Sequence, residues 1–92
     1  MFTRIITWNG SDSDAVRPNI EAKREQIMSV PGIVSCHVAW NEDGSGVTVA
    51  VYESEAAASA SAAQIQAIWS DLGSLFTAPP ETVTYSESIE MR

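Results

Sequence analysis

One cysteine, one histidine and five bases are all that this 92-residue chain has of the side chains that usually cross-link, chelate or grip nucleic acid. With Cys36 alone, no disulfide can form within the chain, and a cysteine-rich zinc site is excluded. His37 has no second imidazole with which to share a metal, so no metal site is expected. The bases are Arg4, Arg17, Lys23, Arg24 and Arg92. From Glu25 to Met91 there is none against nine carboxylates, and the net charge is −7. Such a surface repels phosphate backbones, which argues against nucleic acid as a partner and fits simple solubility. No apolar run approaches the roughly 20 residues of a bilayer span, and Met1 to Ile5 lack the apolar stretch of a signal peptide. The expectation is a cytoplasmic protein with no membrane partner. There is no phosphate-binding glycine loop, dinucleotide fingerprint or nucleophile elbow, and no cofactor is expected.

What is present reads as a single domain over residues 1–92. A chain this short buries only about 60–65% of its unfolded surface, so dimerisation is a natural supplement to its core. Residues 2–8 are β-branched and aromatic and predict a strand. Asn9-Gly10-Ser11-Asp12-Ser13-Asp14 is a loop rich in turn and N-cap residues. A helix is expected to begin within residues 14–18, with Pro18 in its first turn, and to run to Val30. Val16, Ile20, Lys23, Ile27 and Val30 share its inner face, and Pro31-Gly32 ends it. Residues 33–40 and 47–52 are strands, and Ser54 caps a second, alanine-rich helix that Ala78-Pro79-Pro80 terminates. Residues 82–87 form a fourth strand, with Val83 and Tyr85 on one side.

Between the middle strands lies Asn41-Glu42-Asp43-Gly44-Ser45-Gly46. Asp-Gly favours a two-residue type I′ hairpin turn, in which both central residues need positive φ. A turn centred there sets Trp40 opposite Val47, Val38 opposite Val49 and Cys36 opposite Val51. Val34, Cys36, Val38, Trp40, Val47, Val49 and Val51 then share one face. Ser35, His37, Ala39, Thr48, Ala50 and Tyr52 share the other. The element order β-α-β-β-α-β predicts an α+β, ferredoxin-like fold: a four-stranded antiparallel sheet with two helices on one face. The valine face should meet the helices. The half-polar face, joined by Thr3, Ile5 and Thr7, should meet a second copy of the chain in a homodimer.

In its element order the chain resembles the dimeric α/β-barrel superfamily, and within it the antibiotic biosynthesis monooxygenase-like proteins. The residues that carry this are Val30-Pro31-Gly32-Ile33-Val34, then Trp40-Asn41-Glu42-Asp43-Gly44 before a valine-rich strand, and Tyr52-Glu53-Ser54 leading into the second helix. The resemblance implies a dimeric barrel of two sheets. It also implies a pocket between helices and sheet in which some members oxidise electron-rich aromatic molecules without a cofactor. Other members degrade haem with a histidine on the second helix, beside an Asn and a Trp. Asn9 and Trp69 suit the last two, but residues 54–76 contain no histidine.

Three tryptophans in so short a chain suggest aromatic walls for a planar ligand, or simply large core residues. Trp8, Asn9, Trp40, Trp69, Arg4 and Tyr85 are the candidate ligand-binding residues. Arg4 shares the alternation of Phe2, Ile6 and Trp8, which turns it inward, either to bind a substrate carboxylate, to pair with an internal acid, or to reach solvent along its stem. Asn9, with Arg4 or Tyr85, is placed to stabilise an oxyanion. His37, Tyr52, Ser35 and Thr48 are the candidate dimer-interface residues, and Cys36 is read as a small buried hydrophobe. Two functions follow: a dimer that binds a small aromatic ligand, or a cofactor-independent monooxygenase acting on an aromatic or polyketide-like substrate.

Overall fold

A computed structural model describes residues 1–91. The strands are β1 (Phe2–Asn9), β2 (Ile33–Trp40), β3 (Ser45–Tyr52) and β4 (Glu81–Tyr85), and the sheet order is β2-β3-β1-β4 with every pairing antiparallel. The helical layer is α1 (Ser13–Glu21), α2 (Arg24–Met28), α3 (Glu55–Ala60) and α4 (Ala62–Asp71), followed by a 3₁₀ turn over Gly73–Leu75. This is the ferredoxin-like arrangement that the element order predicts, with each of its two helices broken into two pieces. Among the described residues no helix is long and apolar enough to cross a membrane.

The breaks have local causes. Asp12 caps α1 by accepting from the backbone N–H of Asp14 at 3.0 Å. The helix therefore starts early enough that Pro18 falls inside it rather than in its first turn. The chain leaves regular α geometry at Ala22 and Lys23, where Lys23 Nζ reaches the Asp71 carboxylate at 3.0 Å. In the second helical segment the Ser54 hydroxyl accepts from Ala57 N–H at 3.1 Å, as a capping serine should. Buried Ser61 separates α3 from α4 and turns its hydroxyl towards the Pro31 carbonyl at 3.2 Å.

The hairpin departs from the type I′ expectation. Among the described residues none other than glycine has positive φ, so Asp43 cannot occupy the first central position of that turn. Instead Gly44 N–H donates to the Asn41 carbonyl at 3.0 Å, Asn41 N–H donates to the Ser45 carbonyl at 2.8 Å, and Gly44 alone takes φ +91°. The Asp43 carboxylate accepts from the Ser45 backbone at 2.9 Å and from its hydroxyl at 2.6 Å, which holds the aspartate in the ordinary right-handed region. The loop is one residue longer than a two-residue turn, a type I turn closed by a glycine bulge. The register moves by one: Trp40 lies opposite Gly46, Val38 opposite Thr48, and Cys36 opposite Ala50.

That slip turns β3 over. Cys36, Val38 and Trp40 face the helices as expected. They share that side with Thr48, Ala50 and Tyr52, which the two-residue turn would set on the open face. Val47, Val49 and Val51 join Ile5, Ser35, His37, Ala39 and Val83 on the open face. Val34, at the bulge where β2 opens, is exposed.

Candidate functional site

β1 delivers Phe2, Arg4, Ile6 and Trp8 to the helix side of the sheet by simple alternation. Trp8 is buried and lies across Gly46, where a Cβ would run into the indole. Its Nε1–H donates to Thr48 Oγ1 at 3.2 Å, and its ring meets Phe76 at a centroid distance of 5.6 Å. Trp8 is thus a satisfied core residue rather than a ligand wall. Trp69, on α4, packs on the other side of Phe76 at 5.4 Å.

Between the helices and the sheet a small chamber of about 30 Å³ remains, with Arg4, Thr48, Tyr52, Cys36, Ile65 and Trp69 among its walls. It adjoins an open groove of about 280 Å³ at the β2 edge, lined by Arg17, Glu21, Arg24, Met28 and Trp40. Ile20, Ile27, Cys36 and Val38 belong to both, so the two form one cleft with an inner end and a mouth.

The inner end is electrostatically unfinished. The Arg4 guanidinium lies 5.5 Å from the centroid of the Tyr52 ring. Among the described residues the ion pairs are Lys23–Asp71 and Arg24–Glu21, so Arg4 has no carboxylate partner. Tyr52 is completely buried and its hydroxyl has no hydrogen-bond partner. Burial pushes the Tyr52 phenol above its ordinary range, only partly offset by Arg4, so at neutral pH it keeps its proton and can donate. Burial likewise raises the Cys36 thiol, which stays protonated and unreactive. Among the described residues no carboxylate or imidazole lines the chamber.

The mouth is differently built. Arg17 lies over the Trp40 ring, 5.2 Å from its centroid. Arg24 forms a two-pronged pair with Glu21, its Nη2 and Nε donating at 2.8 and 3.1 Å. That pairing draws the Glu21 carboxyl below the usual carboxylate range.

Of the candidate ligand residues, Arg4, Trp40 and Trp69 therefore share one cleft, with Trp8 behind its wall. Asn9 and Tyr85 do not join it. Asn9 pairs with Ser45 and Tyr85 with Thr3, positions whose side chains belong to the opposite face of the sheet. Tyr52 and Thr48 move the other way: the register shift takes them from the expected interface into the chamber. Only His37 and Ser35 of that group lie on the open face, His37 opposite Val49. The signal that could have placed Tyr52 was Gly46, since a residue without a side chain is what the broad Trp8 indole needs across the strand pair. Among the described residues no group of three or more His, Cys, Asp or Glu side chains is placed to hold a metal ion.

No protein-family model and no curated protein matches the chain. Solved structures do. A protein of unknown function from Nitrosomonas europaea superposes with a TM-score of 0.81 at 9% identity, covering 99% of this chain and 93% of that one. SnoaB, a cofactor-independent oxygenase from Streptomyces nogalater, gives 0.78 at 18% identity over 98% of this chain and 95% of its own. The ActVA-Orf6 monooxygenase from Streptomyces coelicolor, in complex with nanaomycin D, gives 0.70 at 24% identity over 99% and 90%. The chain shares the fold of these structures and of others described as antibiotic biosynthesis monooxygenases.

Proposed function

We propose that the chain acts as a homodimer that binds a small planar aromatic molecule in the cleft between helices and sheet, with a phenolic or enolic oxygen of the ligand between Arg4 and Tyr52. The observation that carries this reading is the unfinished inner end: a guanidinium without a carboxylate beside a buried hydroxyl without a partner. A buried unsatisfied hydroxyl costs about 1–3 kcal/mol, and a ligand oxygen that accepts from both groups removes that cost.

Volume decides how the ligand lies. The chamber of about 30 Å³ exceeds the roughly 10–15 Å³ that admits a single water, so it takes an oxygen and its immediate neighbours. The groove of about 280 Å³ is close to the lower end of ordinary small-molecule sites, roughly 300–1,000 Å³. A one- or two-ring body rests in the groove against Trp40, with its oxygen directed inward.

The homodimer rests on the open sheet face. Ile5, Val47, Val49, Val51 and Val83 form an apolar surface there, more apolar than the face the sequence predicts. A second copy, packing sheet against sheet, covers it.

Oxygenation of the same ligand is a second reading, favoured by the same pair and by the likeness in fold to SnoaB and ActVA-Orf6. Arg4 and Tyr52 are hydrogen-bond donors aimed where a phenol's negative charge develops. The resulting anion is electron-rich enough to reduce O₂, and conversion of a ring CH₂ to C=O with release of water consumes one O₂ with no outside reductant. The chamber walls supply no general base, so proton loss falls to a substrate that is itself acidic, and for that reason binding is the leading reading.

Calorimetric titration with 2-naphthol tests binding. Saturable binding that weakens about tenfold in Arg4→Gln and in Tyr52→Phe, the worth of a charge-assisted hydrogen bond, supports it. Absence of binding to the unaltered chain refutes it. For the second reading, a dihydroxynaphthalene is added in an oxygen electrode. Consumption no faster than the blank eliminates oxygenation.

A further inference from the structure

We infer that the mouth of the cleft is an acid-recognition subsite, and that the ligand carries a carboxylate held there by Arg17 and Arg24 in addition to the oxygen at its inner end. This deepens the aromatic-ligand reading and rests on it. The chain is strongly acidic, yet three of its four arginines, Arg4, Arg17 and Arg24, line this one cleft. Among the described residues Glu21 is the one carboxylate in the lining of chamber and groove. Three guanidinium charges less one carboxylate leave +2 in the cleft of a chain whose net charge is −7. Solubility does not call for such a concentration, since cations scattered over the surface would serve it equally well.

The side-chain geometry suits a planar acid. The Arg17 guanidinium lies over the Trp40 ring, which holds it at the groove, and a cation on an aromatic ring still has N–H groups for another partner. Among the described residues it has no carboxylate. Arg24 uses Nε and Nη2 on Glu21, which fixes its plane and leaves Nη1 uncommitted. An aromatic carboxylate lying against Trp40 meets the Arg17 edge in the fork-to-carboxylate arrangement that lysine cannot offer. Lys23, the nearby lysine, is committed to Asp71.

The test compares 2-naphthol with 3-hydroxy-2-naphthoate by calorimetry on the full chain, with circular dichroism melting to check that each variant is folded. The proposal expects the naphthoate to bind about tenfold tighter. Arg17→Gln should abolish most of that preference, read as the ratio of the two affinities within the same variant, Arg24→Gln should abolish part of it, and Arg17→Lys should restore only a fraction. Equal affinity for the two probes overturns the acid subsite and leaves the aromatic cleft standing. A preference that survives both glutamine variants overturns the assignment to these arginines. Failure of 3-hydroxy-2-naphthoate alone to bind overturns the subsite only, whereas failure of both probes overturns the subsite together with the reading beneath it.

Discussion

The phenol of Tyr52 is fully enclosed and its oxygen makes no hydrogen bond of good geometry among the described residues, with the Arg4 guanidinium nearby, so the folded state carries a polar group that water would satisfy better. Tyr52→Phe removes that group with little change of shape and should raise stability by about 1 kcal/mol in urea denaturation, while weakening phenol binding. The effect has a pH signature. Burial raises the Tyr52 phenol above its ordinary value of 10.0, which favours the neutral form in the folded chain. The contribution is intact below that ordinary value and is lost as pH climbs through the raised one. The advantage of the phenylalanine variant should therefore widen between pH 8 and alkaline conditions beyond 10.0, and an unchanged difference would contradict the burial described here. At this scale the sequence was readable in part. Arg4 could be turned inward because alternation along β1 needs no partner strand. Tyr52 could not, because the side it faces depends on a turn seven residues and more before it.

That turn belongs to the scale of elements. Gly44 combines φ +91° with a carbonyl that accepts from Gly10 N–H at 2.7 Å, so it joins the hairpin to the end of β1. Any Cβ there is strained by the backbone angle and collides with Gly10. Gly44→Ala should cost about 2 kcal/mol or more by chemical denaturation, beyond the usual effect of an exposed loop substitution. Ser54 and Pro31-Gly32 were legible beforehand, because they act on neighbours a few residues away, whereas Asp12 stood among several N-cap candidates in its loop and the helix it caps begins before the expected span. The hairpin was not. Asp43-Gly44 is equally compatible with a two-residue turn and with a bulged three-residue loop, and the choice falls to the Asp43 carboxylate, which binds Ser45 and keeps its own backbone right-handed. The alternation of β3 offered no correction, since valines on one side and threonine, alanine and tyrosine on the other satisfy either orientation.

For the molecule as a whole, the slip in register strengthens the case for a second copy, because the face without helices now carries the three β3 valines. Sedimentation velocity should give a species of about twice the 9.9 kDa chain. Val49→Glu, in the middle of that face, should return it to a single chain with its melting still cooperative. A wild-type chain sedimenting alone would remove the dimer from the proposal and leave the cleft untouched. The sheet order has one more consequence. β1 lies between β3 and β4, though both follow it in sequence. A ribosome therefore makes the middle of the sheet before either of its flanks, and Ile5, Ile6 and Trp8 wait without hydrogen-bonded neighbours until most of the polypeptide has emerged. Folding is in this sense a late event of translation, and the nascent N-terminal third is the segment for which a chaperone has most to offer.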